Sequence, residues 1–205
     1  MDGDICVPFI VRTMFKFLKK LKRKSIYGEF LDAKKEGKLK NFLDLQNPGE
    51  YELSYMEHPA VKISTFDLNK ALMDFYNRER ESIAEAEKFF KSHRAIESID
   101  GFAAFLYGQD NFQEDRLPGL SILLMRDSKE VEAVKFGILL AEYYNLENYY
   151  RALEIIRNLG EHPEFTYYSV RVLKNIMDGD KYVEEIYENT FGNGKKIIEV
   201  ANEIR

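Results

Sequence analysis

Three histidines, one cysteine and thirty-five carboxylates are the side chains from which this 205-residue chain could build chemistry. A zinc centre needs ligands at fixed helical or hairpin spacing, and neither a His-x-x-x-His pair nor a His-Glu-x-x-His run is present. His58 and His162 each precede a proline, in Glu-His-Pro at 57–59 and again at 161–163, a context for a turn or helix cap; His93 stands in the basic stretch Lys91-Ser-His-Arg94. Cys6 is alone, which excludes a disulfide framework, and no histidine or helix start lies beside it to activate the thiol. Two acidic clusters, Asp110/Glu114/Asp115 and Asp178/Asp180/Glu184/Glu185, lack the alternating Asp spacing of a calcium loop. Gly192-Asn-Gly-Lys195 echoes a phosphate loop, but Asn189 stands where its first glycine belongs and Lys196 where a magnesium-binding hydroxyl belongs. The expectation is a protein that is not an enzyme, with no catalytic residue, metal, cofactor or small-molecule substrate.

Aromatic residues offer a different chemistry, that of recognition. Thirteen Tyr and fifteen Phe occur without a Trp, and tyrosines double at 143–144, 149–150 and 167–168. Neighbours on a helix point about 100° apart, so each doublet sends one ring inward and one outward. Tyr and Arg are favoured interface anchors. On the segment 163–177, Tyr167, Arg171, Lys174 and Glu164 fall opposite the apolar side made by Phe165, Tyr168, Val172 and Leu173. Those four are the candidate partner-binding residues, and a protein or peptide is the expected partner.

The elements that must position them read as helices throughout. Apolar residues recur at three and four, and strand-like alternation is absent. Helices are expected near 39–46, 49–56, 59–77, 79–91, 93–107, 116–126, 129–144, 147–159, 163–177, 180–190 and 194–204. Turn chemistry such as Asn47-Pro48-Gly49 and Asp178-Gly179-Asp180 separates them. Pro59 and Pro163 suit the first turn of a helix, and Asp127 with Glu130 suits a capping box. Segment 129–144 is apolar nearly all round apart from a strip at Glu132, Lys135 and Glu142, so it expects neighbours on several sides. Gly137 within it predicts a close helix–helix approach.

Residues 126–140 lie over 160–174 at an offset of 34, pairing Val131 with Phe165, Ile138 with Val172 and Leu139 with Leu173. A period in the thirties built from helix pairs is the mark of stacked repeats. The chain resembles the HEAT-repeat and armadillo-type helical repeat class. The resemblance rests on helix openings at Pro59-Ala-Val61-Lys62, Asp127-Ser-Lys-Glu-Val131 and Pro163-Glu-Phe165, and spans 115–205 and 38–80. It implies an all-α, right-handed αα superhelix of three to five irregular helix pairs, and by analogy a scaffolding role.

Charge divides the chain. Eleven Lys/Arg against three acids give residues 12–40 a net +8, whereas nineteen against thirty give residues 41–205 a net −11. The division predicts a basic N-terminal segment, 1–37, docked on a helical domain, 38–205. Around residues 10–21, Ile10, Val11, Met14, Phe15, Phe17, Leu18 and Leu21 share an arc of about 160°. Lys16, Lys19, Lys20 and Arg23 form the opposite, basic face. Peripheral contact with anionic lipid is the alternative use of that helix, and neutralisation of a basic toxin, as immunity-type proteins do, is an alternative role for the acidic body. Nucleic acid is not an expected partner, because the body would repel phosphates. The acidic first residues do not resemble a secretory leader, Met14 is a second candidate start, and a cytoplasmic location is expected.

Overall fold

A computed structural model describes residues 24–59, 63–79, 81–109 and 114–203, and all regular structure among them is helical, with no strand. The basic face at Lys16, Lys19, Lys20 and Arg23 lies outside the described residues. The helices are α1 (Ile26–Lys35), α2 (Glu50–Glu57), α3 (Phe66–Tyr76), α4 (Ser82–Phe90), α5 (Ala95–Tyr107) and α6 (Leu117–Asp127). They continue as α7 (Val131–Leu139), α8 (Tyr150–Gly160), α9 (Pro163–Leu173), α10 (Gly179–Asn189) and α11 (Asn193–Glu203).

Several boundaries differ from those expected. Helix α1 adds an element to the N-terminal segment: the Ser25 side chain caps its start, Glu29 and Lys34/Lys35 match its dipole, and Gly37 takes a positive φ just beyond its end. Helix α3 opens at Phe66 and not at Pro59. Segment 129–144 divides into α7 and a 3₁₀ turn, Leu140–Tyr143. The Asp127/Glu130 capping box does not form. Asp127 ends α6 and is held by the Arg126 guanidinium, so Ser128 takes over the turn, its Oγ accepting from the Glu130 amide at 3.1 Å.

Three successive pairs, α6/α7, α8/α9 and α10/α11, pack like against like: α6 on α8 and α8 on α10, with α7 on α9 and α9 on α11. The residues repeated at offset 34 fall in the same part of this arrangement, and Ile138, Leu139, Val172 and Leu173 are all buried. Helix α7 is also covered by α4 and α5, so every residue from Ala133 to Ala141 is buried. Gly137 makes the tightest approach within it. A Cβ there would meet Leu124 Cβ at 2.9 Å and the Met125 backbone nitrogen at 3.0 Å. The N-terminal elements close over this stack, α1 on α6 and α8, and α2 on α9 and α11. Buried side chains from Ile26 to Ile198 form one continuous core.

Candidate functional site

Helix α7 needs partners for its polar strip on all sides, and it finds them inside the protein. Lys135 is fully buried, and its ammonium donates to Glu164 Oε1 at 2.6 Å, Glu52 Oε1 at 2.8 Å and Glu132 Oε1 at 2.9 Å. An ammonium has three hydrogens, and each has an acceptor. The acceptors come from three helices: Glu52 from α2, Glu132 from α7 itself, and Glu164 from the first turn of α9, where the helix dipole also favours a negative charge. Two of the three remaining carboxylate oxygens are tied in turn, and the bonded oxygens of Glu132 and Glu52 each take a further donor. Glu164 Oε2 accepts from the Gly49 amide and Glu132 Oε2 from the Ala95 amide, while Arg94 donates to Glu132 and Tyr168 to Glu52.

Electrostatics explains why these charges tolerate burial. Desolvation pulls the Lys135 ammonium toward neutrality, but the charges of Glu52, Glu132 and Glu164 more than reverse this and hold its pKa above the ordinary value. Burial pushes the Glu52 carboxyl up, Lys135 pulls it back, and Glu164 adds repulsion. Glu52 Oε2 is the oxygen left buried without a hydrogen-bond partner. The three carboxylates have ligand atoms within 4.8 Å of one another, a spacing that could hold a divalent ion. Here the protein supplies its own cation. An incoming metal would have to displace an ammonium with three short bonds.

His162 adjoins this network. It caps α9 by accepting from the Glu164 amide at 3.3 Å, and Phe42, Phe165 and Phe191 surround its ring. Burial, then the Lys135 charge, lowers its pKa to about 4. Both histidines stand at helix caps as expected: His162 is the N-cap of α9, and the exposed His58 is the C-cap of α2. His93 is half-buried and stacks on Phe89 at 4.1 Å.

The helices held by Lys135 also carry a tyrosine face. Tyr55 of α2 meets Tyr167 of α9 edge-on at 6.3 Å, and Tyr107 of α5 meets Tyr143 of the 3₁₀ turn at 6.2 Å. Between them the Arg171 guanidinium makes a bidentate pair with Glu142 at 2.6 and 2.9 Å. Tyr107 is 74% exposed, and Tyr55, Tyr143 and Tyr167 are half-buried. Burial, with Glu142 beside it, pushes the Tyr143 phenol up to about 12. The Tyr55, Tyr107 and Tyr143 hydroxyls have no hydrogen-bond partner among the described residues.

Of the four residues expected to meet a partner, Tyr167 and Arg171 lie on this face. Glu164, expected to point outward, is turned into the charge network, and the Lys174 ammonium donates to the Ala201 carbonyl of α11. No family model, curated protein or solved structure matches the chain. Sequence reasoning missed Glu52, Tyr55 and Tyr107. For Glu52 the available signal was Lys135 itself, since a cation on a helix packed on every side must find buried carboxylates.

Further depressions line the surface elsewhere. A cleft of about 380 Å³ between α1, α8 and α10 holds Lys34 paired with Glu161, Arg157 paired with Glu185, and Glu154. An open apolar groove of about 440 Å³ runs beside Phe75, Ile83, Gly119 and Leu123.

Proposed function

We propose that this chain is a non-enzymatic helical-repeat module of the cytoplasm that binds a protein or peptide through its tyrosine face. The fine architecture belongs to the same proposal: a right-handed superhelix of irregular HEAT-like pairs, supported by the like-to-like packing of α6–α11 and the 34-residue register. One observation carries the functional reading. Four elements distant in sequence bring Tyr55, Tyr107, Tyr143 and Tyr167 to one partly exposed surface, and three of their hydroxyls have no hydrogen-bond partner among the described residues. Tyrosine presents a large ring at small entropic cost and a hydroxyl that seeks a bond, the combination that anchors interfaces. The charge network beneath supports this reading in another way. Its reactive groups, Lys135, Glu52 and Tyr168, are sealed from solvent, which suits a brace that fixes the helices bearing the rings.

The test is site-specific photo-cross-linking in the producing cell. A benzophenone side chain replaces Tyr107 on the face or, as a control, Tyr187 on α10. The reading predicts a discrete adduct formed from position 107 and absent from position 187, and lost when Tyr55 and Tyr167 are both changed to Ala. Absence of any adduct specific to position 107 would overturn it.

A further inference from the structure

We propose that the cleft between α1, α8 and α10 binds a singly charged organic cation of the guanidinium or primary ammonium type. This site is separate from the tyrosine face, which is built from α2, α5, α9 and the 3₁₀ turn, and it does not depend on the role proposed for that face. Its basis is an arrangement that recurs in the chain, a cation held by a tyrosine ring and a carboxylate together. Helix α10 sets Tyr182 three residues before Glu185; the Arg157 guanidinium lies 4.5 Å from the Tyr182 ring centroid and pairs with Glu185. Arg94 lies 4.2 Å from the Tyr51 centroid and pairs with Glu132. Lys195 lies 4.9 Å from the centroid of Tyr187, whose hydroxyl donates to Glu199.

Tyr150 and Glu154 offer the same pair on α8. They stand four residues apart, hence on one side of the helix, and both line the cleft. The Tyr150 ring is 71% exposed and has no ring or cation contact among the described residues. Glu154 is exposed and has no hydrogen bond or ion pair among them. The two cations of the cleft are committed elsewhere: Lys34 donates to Glu161 at 2.7 Å, and Arg157 to Glu185. Among the described residues that line it, Glu154 is therefore the carboxylate without a cation. Asn189 donates through its side-chain nitrogen to the Glu185 carbonyl, which leaves its side-chain oxygen as a second acceptor for an N–H group. Ile186 adds apolar wall for an alkyl stem, and about 380 Å³ lies at the lower end of the range for small-molecule sites. An anion would meet Glu154 with both neighbouring cations already paired.

The test follows the tyrosine ring signals of the full chain by NMR as butylguanidinium is added, or butylurea, its uncharged counterpart of the same shape. Butylguanidinium is expected to shift the Tyr150 ring and to bind about tenfold more tightly than butylurea. Glu154→Gln should bring the two level, and Tyr150→Leu should weaken butylguanidinium severalfold; both positions are exposed, so neither change enters the core. Equal binding of the two compounds to the unaltered chain, or shifts that spare the Tyr150 ring, would overturn the proposal, and that comparison needs no variant. So would a Glu154→Gln chain that keeps the full preference for butylguanidinium. A blocked peptide with one arginine among alanines then separates the two sources of such a cation. Tighter binding than butylguanidinium assigns the site to a basic side chain of a protein; equal or weaker binding assigns it to a free small molecule. Loss of cross-linking at position 107 would remove the role of the tyrosine face and leave this site standing.

Discussion

Glu52 and Lys135 meet 2.8 Å apart with neither side chain open to solvent, and Glu52 is the sole fully buried residue of α2. A helix whose deepest contact is a charge depends on that charge being matched. The tyrosines of α2 are therefore placed by an ion pair as much as by apolar packing.

The two partners are not equally replaceable. Glu52→Gln leaves Lys135 with two carboxylates and costs about 1–2 kcal/mol. Lys135→Met leaves two buried carboxylates and the half-buried Glu132 with Arg94 as the remaining cation, and costs about 3–5 kcal/mol. Urea unfolding at neutral pH measures both. The Lys135→Met deficit should shrink in acid, where protonation relieves the repulsion among the carboxylates; a deficit independent of pH would mean that the cost is lost packing.

His162 sets a second pH dependence. Its folded pKa, about 4, lies below the ordinary 6.5, so between those values the unfolded chain binds more protons. Stability contributed by the neutral ring is complete above 6.5 and is lost as pH falls toward 4, amounting to on the order of 3 kcal/mol. Glu52, raised by burial, works in the opposite direction across the carboxylate range. The variant His162→Asn separates the two, because it keeps a capping oxygen and does not titrate. Its urea midpoint should change less than that of the unaltered chain between neutral pH and pH 5.

Much of this architecture was legible in the residues. Apolar spacing marked the helices, Pro163 fixed the start of α9, and Gly137 announced the contact with α6. The strip at Glu132, Lys135 and Glu142 was visible too, but its meaning was not, because periodicity records which side of a helix is polar and never whether that side faces water. Glu164 was placed outward for the same reason. Its real partners, Lys135 and the Gly49 amide, come from elsewhere in the chain, and no local pattern encodes them. Helix α1 escaped notice because its basic surroundings obscured a short apolar contact made by Ile26 and Phe30.

Gly137→Ala weighs helix propensity against space. Alanine gains about 1 kcal/mol of propensity, but its Cβ would stand 2.9 Å from Leu124 Cβ and 3.0 Å from the Met125 backbone nitrogen. Overpacking of this kind costs about 1–3 kcal/mol. The expected outcome is a lower thermal midpoint; a higher one would show that α6 and α7 can separate easily.

Alkaline titration reads the phenols. Burial first, with nearby carboxylates at Tyr51, Tyr76 and Tyr143, pushes the phenols of Tyr51, Tyr76, Tyr143 and Tyr144 up to about 12. Phenolate absorbance should therefore rise incompletely until the fold opens, and Glu97→Gln should lower the Tyr51 step by removing the negative charge beside its proton.

Backbone hydrogen exchange in the Lys135→Met variant, compared with the unaltered chain, addresses the claim that one buried cation carries the tyrosine face. The amides of α2, including that of Tyr55, should lose protection selectively, while α10 keeps its own. Protection lost equally across all helices, or retained throughout α2, would contradict the account.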